Sequence, residues 1–268
     1  MLRAINPRLP LLNRIPAARE VRIAGVADPA KAFGSLSVVI PAYNAEACID
    51  ATLDAVVSYL RERGLKHEII VVDDGSTDDT AERIRGREAA IGVLRNETNR
   101  GKGYSVRRGM LAAKMEWGLF MDVDHSTRIE NLDKFAESAP YADVIIASRR
   151  VPGARIVRRQ HRIRQSMGRT FPYLVRMLAL PGIADTQCGF KLFRRSAINA
   201  LFAKQRVERF AFDVELLLLA RRAGMRITEL PIDWDNPTDS TLRVGRDAMG
   251  MMMDLLRLTW RFRMRRTG

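Results

Sequence analysis

Short β-branched runs that alternate with stretches of helical spacing constrain this chain more than any other feature. Leu36-Ser37-Val38-Val39-Ile40 is a compact apolar run stopped by Pro41. From Ala45 to Arg63 the apolar residues Ile49, Leu53, Val56, Val57 and Leu60 then recur at helical intervals. Glu68-Ile69-Ile70-Val71-Val72 is the next run and ends at Asp73-Asp74-Gly75-Ser76. A helix, a strand over Ile91–Arg95, a helix over Gly103–Lys114, a strand before Asp122 and another at Asp143–Ala147 continue the pattern. After a basic amphipathic stretch come a loop at Asp185–Phe190, a helix at Phe212–Ala223 and a strand at Arg226–Leu230. The alternation predicts an α/β fold, a mostly parallel sheet flanked by helices, with right-handed crossovers and ligand loops at the carboxyl edge of the strands.

The polar motifs fall on that edge. Asp122-Val123-Asp124 follows the run Trp117-Gly118-Leu119-Phe120-Met121 and puts two carboxylates at the mouth of the sheet, where a divalent cation can bridge them to a diphosphate. Taken alone, an Asp-rich strand-end turn explains the same tripeptide. In Pro41-Ala42-Tyr43-Asn44-Ala45-Glu46, Tyr43 offers a flat face and Glu46 an acceptor for a nucleobase, and a plain turn into a helix is the alternative. In Asp73-Asp74-Gly75-Ser76-Thr77-Asp78, one carboxylate can hold a base or ribose hydroxyl while Ser76 or Thr77 caps the next helix. Capping alone does not account for two acids before the glycine. Asn99-Arg100-Gly101-Lys102-Gly103 lets backbone approach a ligand and sets Lys102 at a helix start, suited to phosphate. Neither a P-loop nor a dinucleotide fingerprint is present.

Composition narrows the setting. At 268 residues and 47% hydrophobic, the chain suits one large domain. We expect an arm at 1–34, a domain at 35–240 and a basic amphipathic helix at 241–268. Cys48 and Cys188 are the only cysteines, which excludes a disulfide framework or a Cys/His zinc site and fits a reducing, cytoplasmic setting. His67, His125 and His161 are too scattered for a metal cluster, and only His125 adjoins the acid pair.

The net charge of +14 attracts polyanions. The basic residues concentrate in Arg149–Arg176 and Arg243–Arg266, interleaved with Leu, Met, Phe and Trp, a texture of a membrane surface rather than a nucleic-acid arm. Ile163, Met167, Phe171, Leu174 and Leu178 recur beside Arg164, Arg169 and Arg176. The tail repeats this with Met249, Met252, Met253, Leu256, Trp260 and Met264 against Arg257, Arg261, Arg263, Arg265 and Arg266. The alternative is that these faces pack on the domain or on a second subunit of a homo-oligomer. No run approaches the roughly 18 apolar residues of a spanning helix. Pro7, Pro10 and Pro16 interrupt the N-terminus before a secretory core could form.

Taken in order, Pro41, Tyr43, Asn44 and Glu46, then Asp73, Asp74, Gly75 and Ser76, then Asn99, Gly101 and Lys102, then Asp122 and Asp124, resemble the nucleotide-sugar domain of inverting family 2 glycosyltransferases. That family has the Rossmann-like GT-A fold. Asp185-Thr186-Gln187-Cys188-Gly189-Phe190-Lys191-Leu192-Phe193 and Val207 to Leu217 look like signature stretches of the dolichyl-phosphate β-glucosyltransferases within the polyprenyl-phosphate transferases. The resemblance covers about residues 36–262. It implies transfer of glucose from UDP-glucose to a polyprenyl phosphate, dolichyl or undecaprenyl, with inversion and with Mg2+ or Mn2+, by a peripheral protein at the cytoplasmic face of the membrane.

Carried over by position, the resemblance puts Pro41, Tyr43, Glu46, Asp73 and Lys102 around the nucleotide. Asp122 and Asp124 engage ribose, metal and diphosphate, and the Gln187–Cys188 loop shapes the sugar pocket. Arg149, in Ala147-Ser148-Arg149, stands where the family has a phosphate-meeting arginine after a glycine and a serine. Arg162 and Ser166 sit where the mannose synthases grip the acceptor phosphate. Asp213 is the base of hydroxyl-directed relatives, and with a lipid phosphate as acceptor it orients cations and the donor sugar. An acidic first helical turn explains Asp213 and Glu215 equally well.

Two departures are visible. Ala147 replaces a glycine, and Asp124-His125-Ser126 lacks the glutamine of many mannose synthases, which weighs against mannose. The other readings of the chain are transfer from GDP-mannose or another UDP-sugar, a polysaccharide hydroxyl as acceptor, and a basic module that binds membrane or nucleic acid without catalysis.

Overall fold

A computed structural model describes residues 27–87, 91–157, 171, 173–235 and 246–264. The first half is four parallel strands: β1 (Ser35–Ala42), β2 (Lys66–Asp73), β3 (Ile91–Arg95) and β4 (Trp117–Met121). Helices α2 (Ile49–Glu62), α3 (Thr80–Arg85) and α4 (Lys102–Ala112) lie between them. Helix α2 buries Ile49, Leu53, Val56 and Leu60, a stripe at the spacing of one helix face.

Strands β5 (Val144–Ser148), β7 (Phe190–Arg194) and β8 (Ile227–Pro231) complete a seven-stranded sheet of order β3-β2-β1-β4-β7-β5-β8. β7 is antiparallel to both its neighbours. It inserts between β4 and β5, so Phe190, expected at the end of a loop, opens a central strand. A small parallel sheet pairs β6 (Arg155–Ile156) with β9 (Asp233–Trp234).

The central strands β1, β4, β5 and β7 are buried on both faces, and alternate residues feed two cores. Val38, Ile40, Leu119, Met121, Ile145 and Leu192 face a layer with α2 and with α5 (Leu132–Ala136). Val39, Val72, Phe120, Val144, Ile146 and Phe193 face the other layer. That second layer receives α4, helical residues 173–178 (α6), α7 (Arg195–Leu201), α8 (Phe212–Arg222) and α9 (Arg246–Met264).

Several expectations change. Pro41 does not end its ladder, since β1 runs on to Ala42 with Pro41 opposite Val72. The β1–β4 ladder stops at Val39, and backbone groups alternate in direction, so the missing N–H of Pro41 points where no strand needs it. The helix expected from Ala45 starts only at Ile49. The expected arm is part of the fold at its end: Pro29–Phe33 form α1, capped by Asp28, and Phe33 packs edge-on against Trp117 in the core. Residues 1–26 lie outside the described residues.

The tail resolves into two faces of one helix. Leu255 and Leu258 are buried, with Met252 and Phe262 packed beside them, whereas Met249, Met253, Leu256 and Trp260 point outward and are exposed. In the earlier basic stretch, Val175 and Leu180 are buried and Phe171 and Leu174 pack on the core, while Tyr173 and Met177 are exposed. Ile163 and Met167 lie outside the described residues. Among the described residues, no helix is long and apolar enough to cross a membrane.

Candidate active site

β1 is followed by β2 on one side, and the chain then returns to lay β4 on the other side of β1. That reversal opens a crevice at the carboxyl ends of β1 and β4. The loops after β1, β2 and β3 meet there and are fastened to one another largely through backbone N–H groups. Asn44, itself in the left-handed region at φ 48°, donates its N–H to Ser76 Oγ (3.0 Å) and accepts from the Thr77 N–H (2.9 Å). The Ala45 N–H donates to Thr80 Oγ1, the Glu46 N–H to Asp78 Oδ2, and the Asp79 N–H to Glu46 Oε2. Ser76 therefore serves the first loop rather than capping α3, whose N-cap is Asp79.

The paired acids after β2 divide the work. Asp74 joins this loop to the glycine loop: its carboxylate accepts from Asn96 Nδ2 (2.6 Å) and from the N–H groups of Arg100 (2.9 Å) and Gly101 (2.8 Å). Asp73 accepts the Ser76 N–H on Oδ1. Its Oδ2 is buried without a hydrogen bond among the described residues, with the Arg95 guanidinium 3.2 Å away. A buried acceptor in this state has capacity for one more donor.

Lys102 opens α4 and reaches across to Asp122, with Nζ 2.5 Å from Oδ1. Burial disfavours its charge, but Asp122 and Asp213 outweigh that and hold its pKa above the ordinary lysine value. Asp124 accepts the Ser126 N–H. Burial, then the nearby Asp122 charge, raise the Asp124 carboxyl above the usual range. Thr52 of α2 donates to the Val123 carbonyl at 2.6 Å and so fixes the turn from beneath. Gly189 is laid directly on the acid pair: its carbonyl accepts the Asp122 N–H at 2.9 Å, and any side chain there would run into the Asp122 carboxylate.

Beyond Gly189 the site is built from ion pairs. Arg149 donates to Asp185 through Nε (2.7 Å) and Nη2 (2.9 Å) and lies 5.4 Å from the Trp234 ring centre. Burial opposes both charges; their attraction wins, holding the Asp185 carboxyl well below its ordinary value and the Arg149 guanidinium above its own. Lys191, fully buried on β7, donates to Asp213 Oδ1 and to the Cys188 carbonyl, both at 2.6 Å. Burial still leaves the Asp213 carboxyl above its ordinary value. Burial likewise pushes the Cys188 thiol up to about 12, which removes it as a nucleophile at neutral pH.

Pro41, Tyr43, Glu46, Asp73, Lys102, Asp122 and Asp124 thus converge on one rim. Pro41 is buried as framework, and Tyr43 is exposed above it. Gln187 adjoins the rim with its N–H on Asp185. Asp213 lies behind the rim, under Lys191. Arg162 and Ser166 lie outside the described residues. Sequence reasoning quoted Asp74, Asp185 and Lys191 within motifs but gave none of them a role of its own. A lysine inside Phe190-Lys191-Leu192-Phe193 was the available signal, because a lysine in a core strand demands a buried partner.

Residues 37–202 match the model of glycosyl transferase family 2. The chain belongs to that family. Among curated proteins, this family 2 member is 36% identical over 240 residues to a dolichyl-phosphate beta-glucosyltransferase of Trichomonas vaginalis, covering 84% of this chain and 71% of that one. It is 35% identical to the dolichyl-phosphate beta-glucosyltransferase of Saccharomyces cerevisiae (82% and 73% covered) and 32% to that of Homo sapiens (84% and 77%). Among solved structures it is similar to glucosyl-3-phosphoglycerate synthase from Mycobacterium tuberculosis in complex with Mn2+, UDP and phosphoglyceric acid. The TM-score there is 0.66 at 21% identity, over 87% of this chain and 81% of that one. The fold is therefore GT-A, and the family 2 chain is a hexosyltransferase.

Proposed function

We propose that this transferase moves glucose from UDP-glucose to a polyprenyl phosphate of the dolichyl type, with inversion, giving polyprenyl-phosphate β-glucose and UDP. The names of the curated relatives support the sugar and the lipid. The observation that carries the reading is the convergence of Asp73, Lys102, Asp122 and Asp124 on one rim at the strand-order reversal. In it, Asp73 Oδ2 accepts an N–H of the base, and Tyr43 lies against its face. Lys102 faces the diphosphate and stabilises the charge that grows on departing UDP.

The acceptor phosphate oxygen forms a bond to the anomeric carbon as the bond from that carbon to the UDP oxygen breaks. One displacement gives inversion. A phosphate monoester is largely dianionic at neutral pH, its second pKa being about 6, and needs no enzyme base. The burial of Asp213 under Lys191 supports this acceptor over a hydroxyl, for which a free base would have to stand at the surface.

The residues also fit a metal. Among the described residues no group of three or more His, Cys, Asp or Glu could hold an ion. Asp124 and Asp122, hard oxygen donors one residue apart at the end of β4, are the residues that would hold a divalent cation together with the donor diphosphate. Mg2+ or Mn2+ held there would supply Lewis-acid stabilisation of the leaving group.

The outward Met249, Met253, Leu256 and Trp260 of α9, with Arg257 beside them, support peripheral seating on an anionic membrane surface. The family resemblance is what supports the cytoplasmic face for that surface. The deciding experiment incubates purified protein with labelled UDP-glucose, other UDP-sugars or GDP-mannose and dolichyl or undecaprenyl phosphate. Label from UDP-glucose should become extractable into organic solvent as the β-linked product. Extraction with GDP-mannose alone, or no extraction with any donor, overturns the reading.

A further inference from the structure

Glu215 lies two residues beyond Asp213 on α8 and is wholly buried, yet it faces neither the acid pair nor Lys191. Its Oε2 accepts the N–H groups of Arg206 (2.8 Å) and Val207 (2.7 Å). Its Oε1 accepts from Arg261 Nη1 of α9 at 2.7 Å. A buried carboxylate held by two backbone N–H groups and one guanidinium is fully satisfied and defines the place of what it holds. It holds the 206–208 segment, which is the lateral wall of the glycine loop.

The contact between wall and loop is tight. The Glu208 carbonyl accepts the Tyr104 N–H at 2.9 Å, and Gln205 Nε2 donates to the carbonyls of Gly103 and Val207. A Cβ on Gly101, whose φ is 105°, would come 2.7 Å from the Glu208 carbonyl oxygen. One on Gly103 would come 2.8 Å from those of Val207 and Arg209. Arg100 adds an ion pair to Glu208. Between those two glycines stands Lys102, paired with Asp122.

We propose that Glu215 and Arg261 are positioning residues for the donor site. Through the 206–208 segment they set the glycine loop, and with it the Lys102 ammonium, against the place of the diphosphate. The C-terminal helix is thereby a structural part of the nucleotide site, although none of its described side chains contacts the rim. This inference rests on the reading of the rim as a nucleotide-sugar site. It predicts an effect on donor handling and none on the lipid acceptor.

The test uses the full-length protein with Arg261→Met, Arg261→Lys and Glu215→Gln, the last turning an acceptor into a donor that faces Arg261. UDP affinity is measured by calorimetry with MgCl2, and KM is measured separately for UDP-glucose and for the lipid phosphate. Hydrogen exchange of residues 100–104 is followed in the unliganded proteins. Arg261→Met and Glu215→Gln should weaken UDP binding and raise the donor KM on the order of tenfold. Lipid KM should stay unchanged, and Arg261→Lys should restore most of the affinity. Exchange at 100–104 should accelerate while β1 and β4 keep wild-type protection.

Wild-type UDP affinity and wild-type exchange in a folded Arg261→Met protein would overturn the proposal. So would equal losses for donor and lipid. If Arg261→Met does not fold, Glu215→Gln and Arg261→Lys decide by the same exchange readout. If wild-type protein binds no UDP, the donor reading fails, and exchange at 100–104 still decides whether these two residues set the loop.

Discussion

The rim and the ion pairs behind it make two halves of the site that use charge differently. On the proposed nucleotide side, Asp74, Asp78, Asn44 and Glu46 accept mainly from backbone N–H groups of neighbouring loops. That half keeps spare acceptor capacity in Asp73 Oδ2 and a carboxylate at Asp124 lifted by burial and by Asp122. On the far side three buried carboxylates are each paired with a long cation: Asp185 with Arg149, Asp213 with Lys191, Glu215 with Arg261. In the proposed reading the open half takes the ligand. The closed half is electrically complete and acts as a frame.

Breaking the frame should have the largest effect. Lys191→Met leaves the Asp213 charge buried without its hydrogen-bonded counter-ion, with an expected cost of about 3–5 kcal/mol in denaturant unfolding. The double variant Lys191→Met/Asp213→Leu should recover most of it. A single variant as stable as wild type would mean that the frame is held by packing and not by charge. Asp124→Ala probes the open half: turnover should fall about 100- to 1000-fold, the loss typical of one preorganised contact. Its unfolding temperature should change little, because the carboxylate it removes is already disfavoured by burial and by Asp122. A large fall in stability with turnover retained would reverse the roles of the two halves.

Asp185→Asn sharpens the contrast through pH. The folded carboxyl is depressed, so its contribution is fully present above the unfolded value of about 4 and is lost as pH falls below it. The stability gap between wild type and Asp185→Asn, followed by thermal unfolding, should be constant from neutral pH down to about 5 and shrink below about 4. A gap that widens in acid would contradict the pairing. The smallest effect on the fold should come from Trp260→Ser on the outer surface of the frame, within about 0.5 kcal/mol. Binding to vesicles containing anionic lipid should nevertheless drop in a sedimentation assay. Unchanged binding would detach the outward face of α9 from the membrane.

Much of the open half was legible because its residues sit at strand ends, where a polar turn after a β-branched run has one place to be. Asp73, Lys102, Asp122 and Asp124 could be assigned to a common edge from alternation alone. Which of two adjacent acids does what was not legible. Asp74 holds the glycine loop and Asp73 keeps an unsatisfied oxygen because of how β2 ends beside residues 96–101. The frame was nearly opaque, since Asp185, Lys191 and Glu215 have partners that nothing local announces. Pro41 was misread for a related reason, as its tolerance depends on where the ladder of a neighbouring strand stops.

By itself, the chain's sequence determined the alternation of strands and helices, the edge on which the polar turns gather and the family to which they belong. Each of these follows from local periodicity and short motifs. Tertiary structure alone decided that β7 runs backwards through the middle of the sheet, that Arg149 is held by Asp185 and Asp213 by Lys191, and that α9 reaches Glu215 with Arg261. The reason is physical. A buried charge is stable only beside its counter-charge, and which counter-charge that is depends on how distant segments pack.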